Sequence, residues 1–168
     1  MPYLIDSNIF LRIAGRNDPD RQMCINALLY LAGQKEALYY STQNLVEFWN
    51  VCTRPATARG GLGLSIPVTE RKARLIERRF RLLTENAATH QEWRRLVAAH
   101  AVHGVEVHDT MLAAVMRVYN IPNLLTFDKK DFKRFPGVRA ISPPEVLQPP
   151  APTGPVHPAQ PPSGPGNA

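Results

Sequence analysis

Four carboxylates carry the chemistry available to this sequence. Asp6 ends the first apolar run, Pro2-Tyr3-Leu4-Ile5, and Asp128 follows a later one, Leu124-Leu125-Thr126-Phe127. Glu47 and Asp109 stand between them in otherwise apolar stretches with helical spacing. If the two runs are parallel strands of one sheet, their carboxyl ends share an edge, where open α/β folds bind ligands. Four acids brought to one crevice repel one another unless something positive sits among them. A divalent cation with oxygen ligands resolves that conflict. Each acid alone also has an ordinary reading. Asp6 is a good helix N-cap, Glu47 suits a solvated helix face, Asp109 complements a helix dipole and Asp128 favours a turn. The order of all four within one pattern of strands and helices is what points to a shared site.

The elements that would position them follow from periodicity and breakers. A buried-type strand covers Tyr3 to Asp6, with Ser7 and Asn8 able to cap the helical turn after it. Asp18-Pro19-Asp20 marks the start of a helix carrying Ile25, Leu28, Leu29 and Ala32. Ala37 to Tyr40 is a second strand, and Ser41 or Thr42 can cap the helix that runs to about Thr53. Leu45, Phe48, Trp49 and Cys52 form its apolar stripe, and Gln43, Glu47, Asn50 and Arg54 its polar one. Arg54 to Pro67 reads as a loop, and Val68 to Leu83 as one patterned helix with Arg71, Arg74, Arg78 and Arg81 along a side. A short strand is predicted within Thr84 to His90, a helix over Glu92 to His103 and another beginning at Asp109. Asn123 to Phe127 and Val138 to Ile141 are the last strands, and Ser142 to Leu147 closes the domain. Alternating strands and helices predict a three-layer α/β/α domain over residues 1–147 with a central, mostly parallel sheet.

Composition narrows the class. At 168 residues, 44% hydrophobic and 20% charged, the chain reads as one globular domain with a real core. Its formal net charge of +6 resides in the body, because no Lys, Arg, Asp or Glu lies beyond Leu147. A basic body around an acidic crevice suits a polyanion gripped by its phosphates, although modest positive charge also serves solubility. The stretch 148–168 is rich in Pro, Ala and Gly and is read as a disordered tail of polyproline character. Cys24 and Cys52 sit among apolar residues and read as core. No CxxC occurs, which argues against structural zinc. Neither a signal peptide nor a membrane span is predicted, so the expected location is the cytoplasm.

Leu4-Ile5-Asp6-Ser7-Asn8-Ile9-Phe10 resembles the opening of a PIN-domain ribonuclease. Leu125-Thr126-Phe127-Asp128-Lys129-Lys130-Asp131-Phe132 resembles that family's second signature. Glu47 in Asn44-Leu45-Val46-Glu47-Phe48 and Asp109 in His108-Asp109-Thr110-Met111-Leu112-Ala113-Ala114 fall between them in the family's order. The resemblance spans roughly residues 1–147, and the layout is most similar to VapC-like toxins of bacterial toxin–antitoxin pairs. It implies that Asp6, Glu47, Asp109 and Asp128 hold one or two Mg²⁺ or Mn²⁺ ions for hydrolysis of RNA, leaving a 5′ phosphate. It places Ser7, Asn8 and Thr126 as residues that orient those carboxylates, with a weaker claim for Asp131, which could instead cap the turn into Phe132. It implies a homodimer silenced by a small antitoxin. Leu28, Leu29, Leu75 and Ile76 are read either as partner-facing or as core. The arginine row is an RNA grip or a solvated face helped by pairs such as Glu70 with Arg74. His103 and His108, close to Asp109, are read as solvated. A non-catalytic RNA-binding module would be expected to lack one of the acids, and a housekeeping nuclease would look the same at this level. A receiver or haloacid-dehalogenase-type phosphohydrolase fits poorly, since Asn8 stands where the latter needs a second Asp.

Overall fold

The computed structural model describes residues 1–148. The expected disordered tail, but for Gln148, lies outside the described residues. Five strands form one sheet: β1 (Pro2–Ile5), β2 (Ala37–Ser41), β3 (Arg81–Leu83), β4 (Asn123–Leu125) and β5 (Arg139–Ile141). Their order is β3-β2-β1-β4-β5 and every pairing is parallel. The helices are α1 (Ser7–Ala14), α2 (Arg21–Gly33), α3 (Thr42–Thr53), α4 (Ile66–Arg79), α5 (Ala87–Ala99), α6 (Glu106–Val118) and α7 (Pro143–Leu147).

The core divides along the two faces of the sheet. Tyr3 and Ile5 of β1 join Phe10, Cys24, Leu31, Phe48, Cys52 and Ile76, so α1 to α4 and α7 cover one face. Leu4 points the other way and joins Leu96, Leu112, Val115, Met116 and Phe132 from α5, α6 and the chain after β4. The alternation of side chains along a strand produces this split. β1 is central, and Tyr3, Leu4 and Ile5, three of its four residues, are buried, as a strand covered on both faces must be. Both cysteines are buried and unpaired.

The middle of the chain departs from expectation. α4 starts at Ile66, with Pro67 inside its first turn where the missing N–H costs nothing. It stops at Arg79 instead of continuing to Leu83. Phe80 is extended (φ −124°, ψ 155°), and its ring meets Phe10 edge-on at 5.1 Å between centroids. That contact turns the chain into β3, which buries Leu83 on the sheet. The predicted strand after residue 84 is absent because Asn86 forms a capping box with Thr89 and starts α5 at Ala87. α5 also ends earlier, at Ala99, with Ala101 taking the left-handed turn (φ 47°). Helix α6 begins at Glu106, which leaves Asp109 in its first turn and not at its start. Arg81 therefore belongs to an edge strand, and the row of arginines is not one helix face. Among the described residues no helix is long and apolar enough to cross a membrane.

Candidate active site

Parallel pairing in register sets β1 beside β4, with Ile5 opposite Leu125. Asp6 and Thr126, the next residues of each, emerge together at the carboxyl edge, and the Asp6 N–H donates to the Leu125 carbonyl (3.0 Å). Asp6 stands at the N-cap position of α1, yet its side chain makes no capping bond. Its oxygens are engaged elsewhere. Thr126 Oγ1 donates to Oδ2 (2.6 Å), Asn8 Nδ2 donates to the same oxygen (2.9 Å), and Ser7 Oγ lies 3.1 Å from Oδ1. Asp6 is only 7% exposed.

These small polar residues wire Asp6 to two of the other acids. Ser7 Oγ donates its single hydrogen to Glu47 Oε2 (2.6 Å), the shorter of its two contacts, and so stands between the carboxylates of Asp6 and Glu47. Asn8 Nδ2 also lies 3.0 Å from both Asp128 Oδ2 and Thr126 Oγ1, and the Asp128 N–H donates to Thr126 Oγ1 (3.0 Å). Three oxygens facing one amide nitrogen fix the orientation of Asn8. The other end of that amide, Oδ1, is buried without a hydrogen-bond partner.

Electrostatics brings in Asp109. Burial, and then the charges of Asp131, Asp128, Glu47 and Glu106, push its carboxyl up to about 6. Asp6 is also raised to about 6, mainly by burial, with Glu47 and Asp128 adding to the rise and hydrogen bonds from Thr126 and Ser7 opposing it. Asp131 is exposed and faces this cluster as one more negative charge. Its expected cap on the turn into Phe132 is absent from the side-chain bonds of the described residues. The turn is held by backbone, with the Asp131 N–H donating to the Asp128 carbonyl (3.1 Å).

The acids gather at one edge without closing into a cage. Among the described residues no three His, Cys, Asp or Glu side chains converge tightly enough to hold an ion as they stand. Glu47 and Asp128 are exposed, so both can adjust. Mg²⁺ is commonly held by one or two carboxylates with several waters, which matches an open set better than a closed one. The residues fit such an ion on two counts. A buried carboxylate among like charges and an unpartnered amide oxygen both favour a nearby cation. The donor set is oxygen only, which selects a hard metal.

Other residues take ordinary places. Arg71, Arg74, Arg78 and Arg81 are all exposed, and Arg74 is paired with Glu70. His103 and His108 are exposed, and the His108 carbonyl accepts from Gln43 Nε2 (3.0 Å), tying α6 to α3 beside the site. Trp49 packs on the α1-to-α4 side of the core and Trp93 on the other, where its indole N–H donates to the Val107 carbonyl (3.1 Å). Of the four apolar residues left open by sequence, Ile76 is buried, Leu28 is half-buried, and Leu29 and Leu75 are 65% and 55% exposed. All four line an apolar groove of about 490 Å³ between α2 and α4, rimmed by Arg21, Lys72 and Arg79.

Two arginines near the acids escaped sequence reading. The Arg12 guanidinium bridges Asp18 and Asp20 and lies 4.3 Å from the centre of the Phe127 ring, next to Asp128. Its spacing of four from Asn8 puts it on the same face of α1. Arg134 forks onto Glu106 and sits two residues past Phe132, just beyond the second signature.

A parallel α/β sheet with an acidic cluster at its carboxyl edge is the architecture of a PIN domain. Residues 3–138 match the PIN domain family, and the chain belongs to it. Comparison with curated protein sequences gives no match. The fold is shared with VapBC2 of Rickettsia felis bound to a promoter DNA fragment, at a TM-score of 0.63 and 19% identity over 84% of this chain and 98% of that one. It is shared with VapC20 of Mycobacterium tuberculosis, described as a sarcin–ricin loop cleaving toxin (TM-score 0.57, 18% identity, 77% and 92% covered). VapBC-1 of nontypeable Haemophilus influenzae is similar to the same degree (TM-score 0.61, 18% identity, 86% and 99% covered).

Proposed function

We propose that the protein is a divalent-cation-dependent endoribonuclease acting as the toxin of a toxin–antitoxin pair. The observation that carries this reading is Asp6: a buried carboxylate at the end of the central strand, wired through Ser7 to Glu47 and through Asn8 and Thr126 to Asp128. Asp6, Glu47, Asp109 and Asp128 would hold Mg²⁺ or Mn²⁺. When bound, such an ion makes a coordinated water more acidic for in-line attack at phosphorus and offsets charge on the leaving 3′ oxygen. Ser7, Asn8 and Thr126 fix the rotamers of the acids, the kind of support whose removal costs 10- to 100-fold in metal affinity or activity. The excess of basic residues, the exposed Arg71, Arg74 and Arg78 among them, supplies a field that draws RNA to an otherwise negative centre.

The test is hydrolysis of defined RNA hairpins, one of them a sarcin–ricin loop mimic, with Mg²⁺ or Mn²⁺ present. Cleavage should leave 5′ phosphates and should stop when a chelator is added. Cleavage that persists in excess chelator, or products ending in a 2′,3′-cyclic phosphate, would remove the metal from the mechanism.

The solved relatives include complexes of VapC with VapB. For this chain the partner is an antitoxin segment laid in the groove between α2 and α4. Leu29 and Leu75 offer it apolar contact, and the cationic rim of Arg21, Lys72 and Arg79 favours an apolar segment flanked by acids. Leu75→Glu should weaken the complex by about 10-fold or more while cleavage by the free toxin stays within twofold, since an exposed Leu buried at an interface contributes on the order of 1.5–3 kcal/mol. An unchanged affinity for the antitoxin, read by calorimetry, would place the partner elsewhere. A homodimer and a cytoplasmic location complete the reading.

A further inference from the structure

Two acidic segments, the first turn of α6 and the loop after Asp128, meet beside the site. α6 begins at Glu106 without a side-chain cap, since its N-cap position is Val105, 82% exposed. An uncapped first turn frays, and Asp109 lies in that turn. The chain after Asp128 is a run of single turns, with N–H groups of 131, 133, 135 and 138 each donating to a carbonyl three residues back. Phe132 and Phe135 anchor its apolar side against the α5–α6 face of the core, both nearly fully buried. Arg117 Nη1 donates to the Pro136 carbonyl (3.1 Å) and ties the loop to the far end of α6. At the near end, Arg134 Nη1 and Nη2 donate to the two oxygens of Glu106 at 2.7 and 2.8 Å.

That fork is bidentate and planar, the geometry in which Arg fixes both distance and orientation. Glu106 and Asp109 are three apart and share a helix face. The Glu106 fork first, and then the charges of Asp131 and Asp109, strengthen Arg134's hold on its proton. We propose that the Arg134–Glu106 fork is the positioning element of the carboxylate cluster, clamping the first turn of α6, and with it Asp109, against the loop that carries Asp128 and Asp131. Its consequence for metal binding rests on the nuclease reading, whereas the clamp itself does not.

The sign of the effect separates positioning from proximity. A cation that merely sits near a metal site repels the incoming ion, so removing its charge should tighten binding. A cation that holds the ligands in place should weaken binding when lost. Two measurements on the full chain decide this. Hydrogen exchange at residues 107–111 and 131–135 should quicken about fivefold in both Arg134→Gln and Glu106→Gln, with the double variant no worse than either single. Mn²⁺ affinity, from counting free ion by electron paramagnetic resonance, should fall about 10-fold in each, with Arg134→Lys in between. The charge-reversed pair Glu106→Arg with Arg134→Glu should recover exchange to within about twofold of the parent. Unchanged exchange in both single variants, or tighter Mn²⁺ binding in Arg134→Gln, overturns the proposal. Quickened exchange in a protein whose parent form binds no Mn²⁺ supports the clamp and overturns the nuclease reading instead. Should Arg134→Gln fail to fold, Glu106→Gln carries both measurements.

Discussion

Asp6→Asn lowers RNA cleavage by at least about 100-fold and at the same time stabilises the metal-free protein. The two effects have one cause. Asp6 is buried with Glu47 and Asp128 nearby, and its carboxyl is pushed up to about 6 from 3.8. Keeping it ionised at neutral pH therefore costs the fold on the order of 3 kcal/mol, at 1.36 kcal/mol per unit. The amide fits the same place. Its oxygen can accept from Thr126 and Asn8 as the carboxylate does, and its NH₂ can donate to Ser7 Oγ, which still donates to Glu47 Oε2. What the amide loses is negative charge at the centre of the cluster. The melting temperature without metal should rise by roughly 6–12 °C at pH 7 and the rise on adding Mn²⁺ should shrink sharply. A variant that cleaves RNA at the parental rate would end the mechanism. A variant that melts lower would show that the buried charge is already compensated.

The unsubstituted protein without metal should be more stable at pH 5 than at pH 7, the reverse of an ordinary acidic protein. Asp6 and Asp109 both have folded values near 6 and ordinary values of 3.8, so the folded chain binds more protons than the unfolded one between roughly 4 and 6. Stability then declines as pH rises through that window and levels off above it. Asp109 is half-exposed, so Asp6 dominates. Groups with lowered values act in another window. Glu145, drawn down to about 2 by Lys129 and Ser142, gives up its contribution only as pH falls from about 4.5 towards 2. A shift of roughly 5 °C between pH 7 and pH 5 is the expected scale. Saturating Mn²⁺ should reverse the slope, because protons and metal compete for the same oxygens. At about 100 times its dissociation constant the ion adds roughly 2.7 kcal/mol at pH 7 and less at pH 5. Thermal melts over this range, with and without Mn²⁺, check both halves. A flat metal-free profile, or a metal shift independent of pH, would mean that the acids are not a linked cluster.

These acids stand out in the sequence as candidates because their signals are local. A carboxylate directly after a run such as Leu4-Ile5 must sit at a strand end, and the all-parallel sheet is what strands separated by helices produce. Capping residues are equally local, and Ser41 starts α3 as its type predicts. The failures lie where local signals compete. Val68 to Leu83 has helical spacing throughout, yet Phe80 leaves the helix to reach Phe10, seventy positions earlier in the chain. Helical periodicity continues through such a point, and only the contact shows where it ends.

By itself the sequence determined the α/β class and the central strand and offered Asp6, Glu47, Asp109 and Asp128 as candidates for one site, since strand ends, caps and charges are properties of short stretches. Tertiary structure alone decided that Ser7 bridges Asp6 to Glu47, that Asn8 and Thr126 join Asp6 to Asp128, and that Arg134 meets Glu106. It also decided that Leu29 and Leu75 stay uncovered. Those outcomes depend on angles and distances between elements dozens of residues apart. Spacing along one strand or helix carries no record of them.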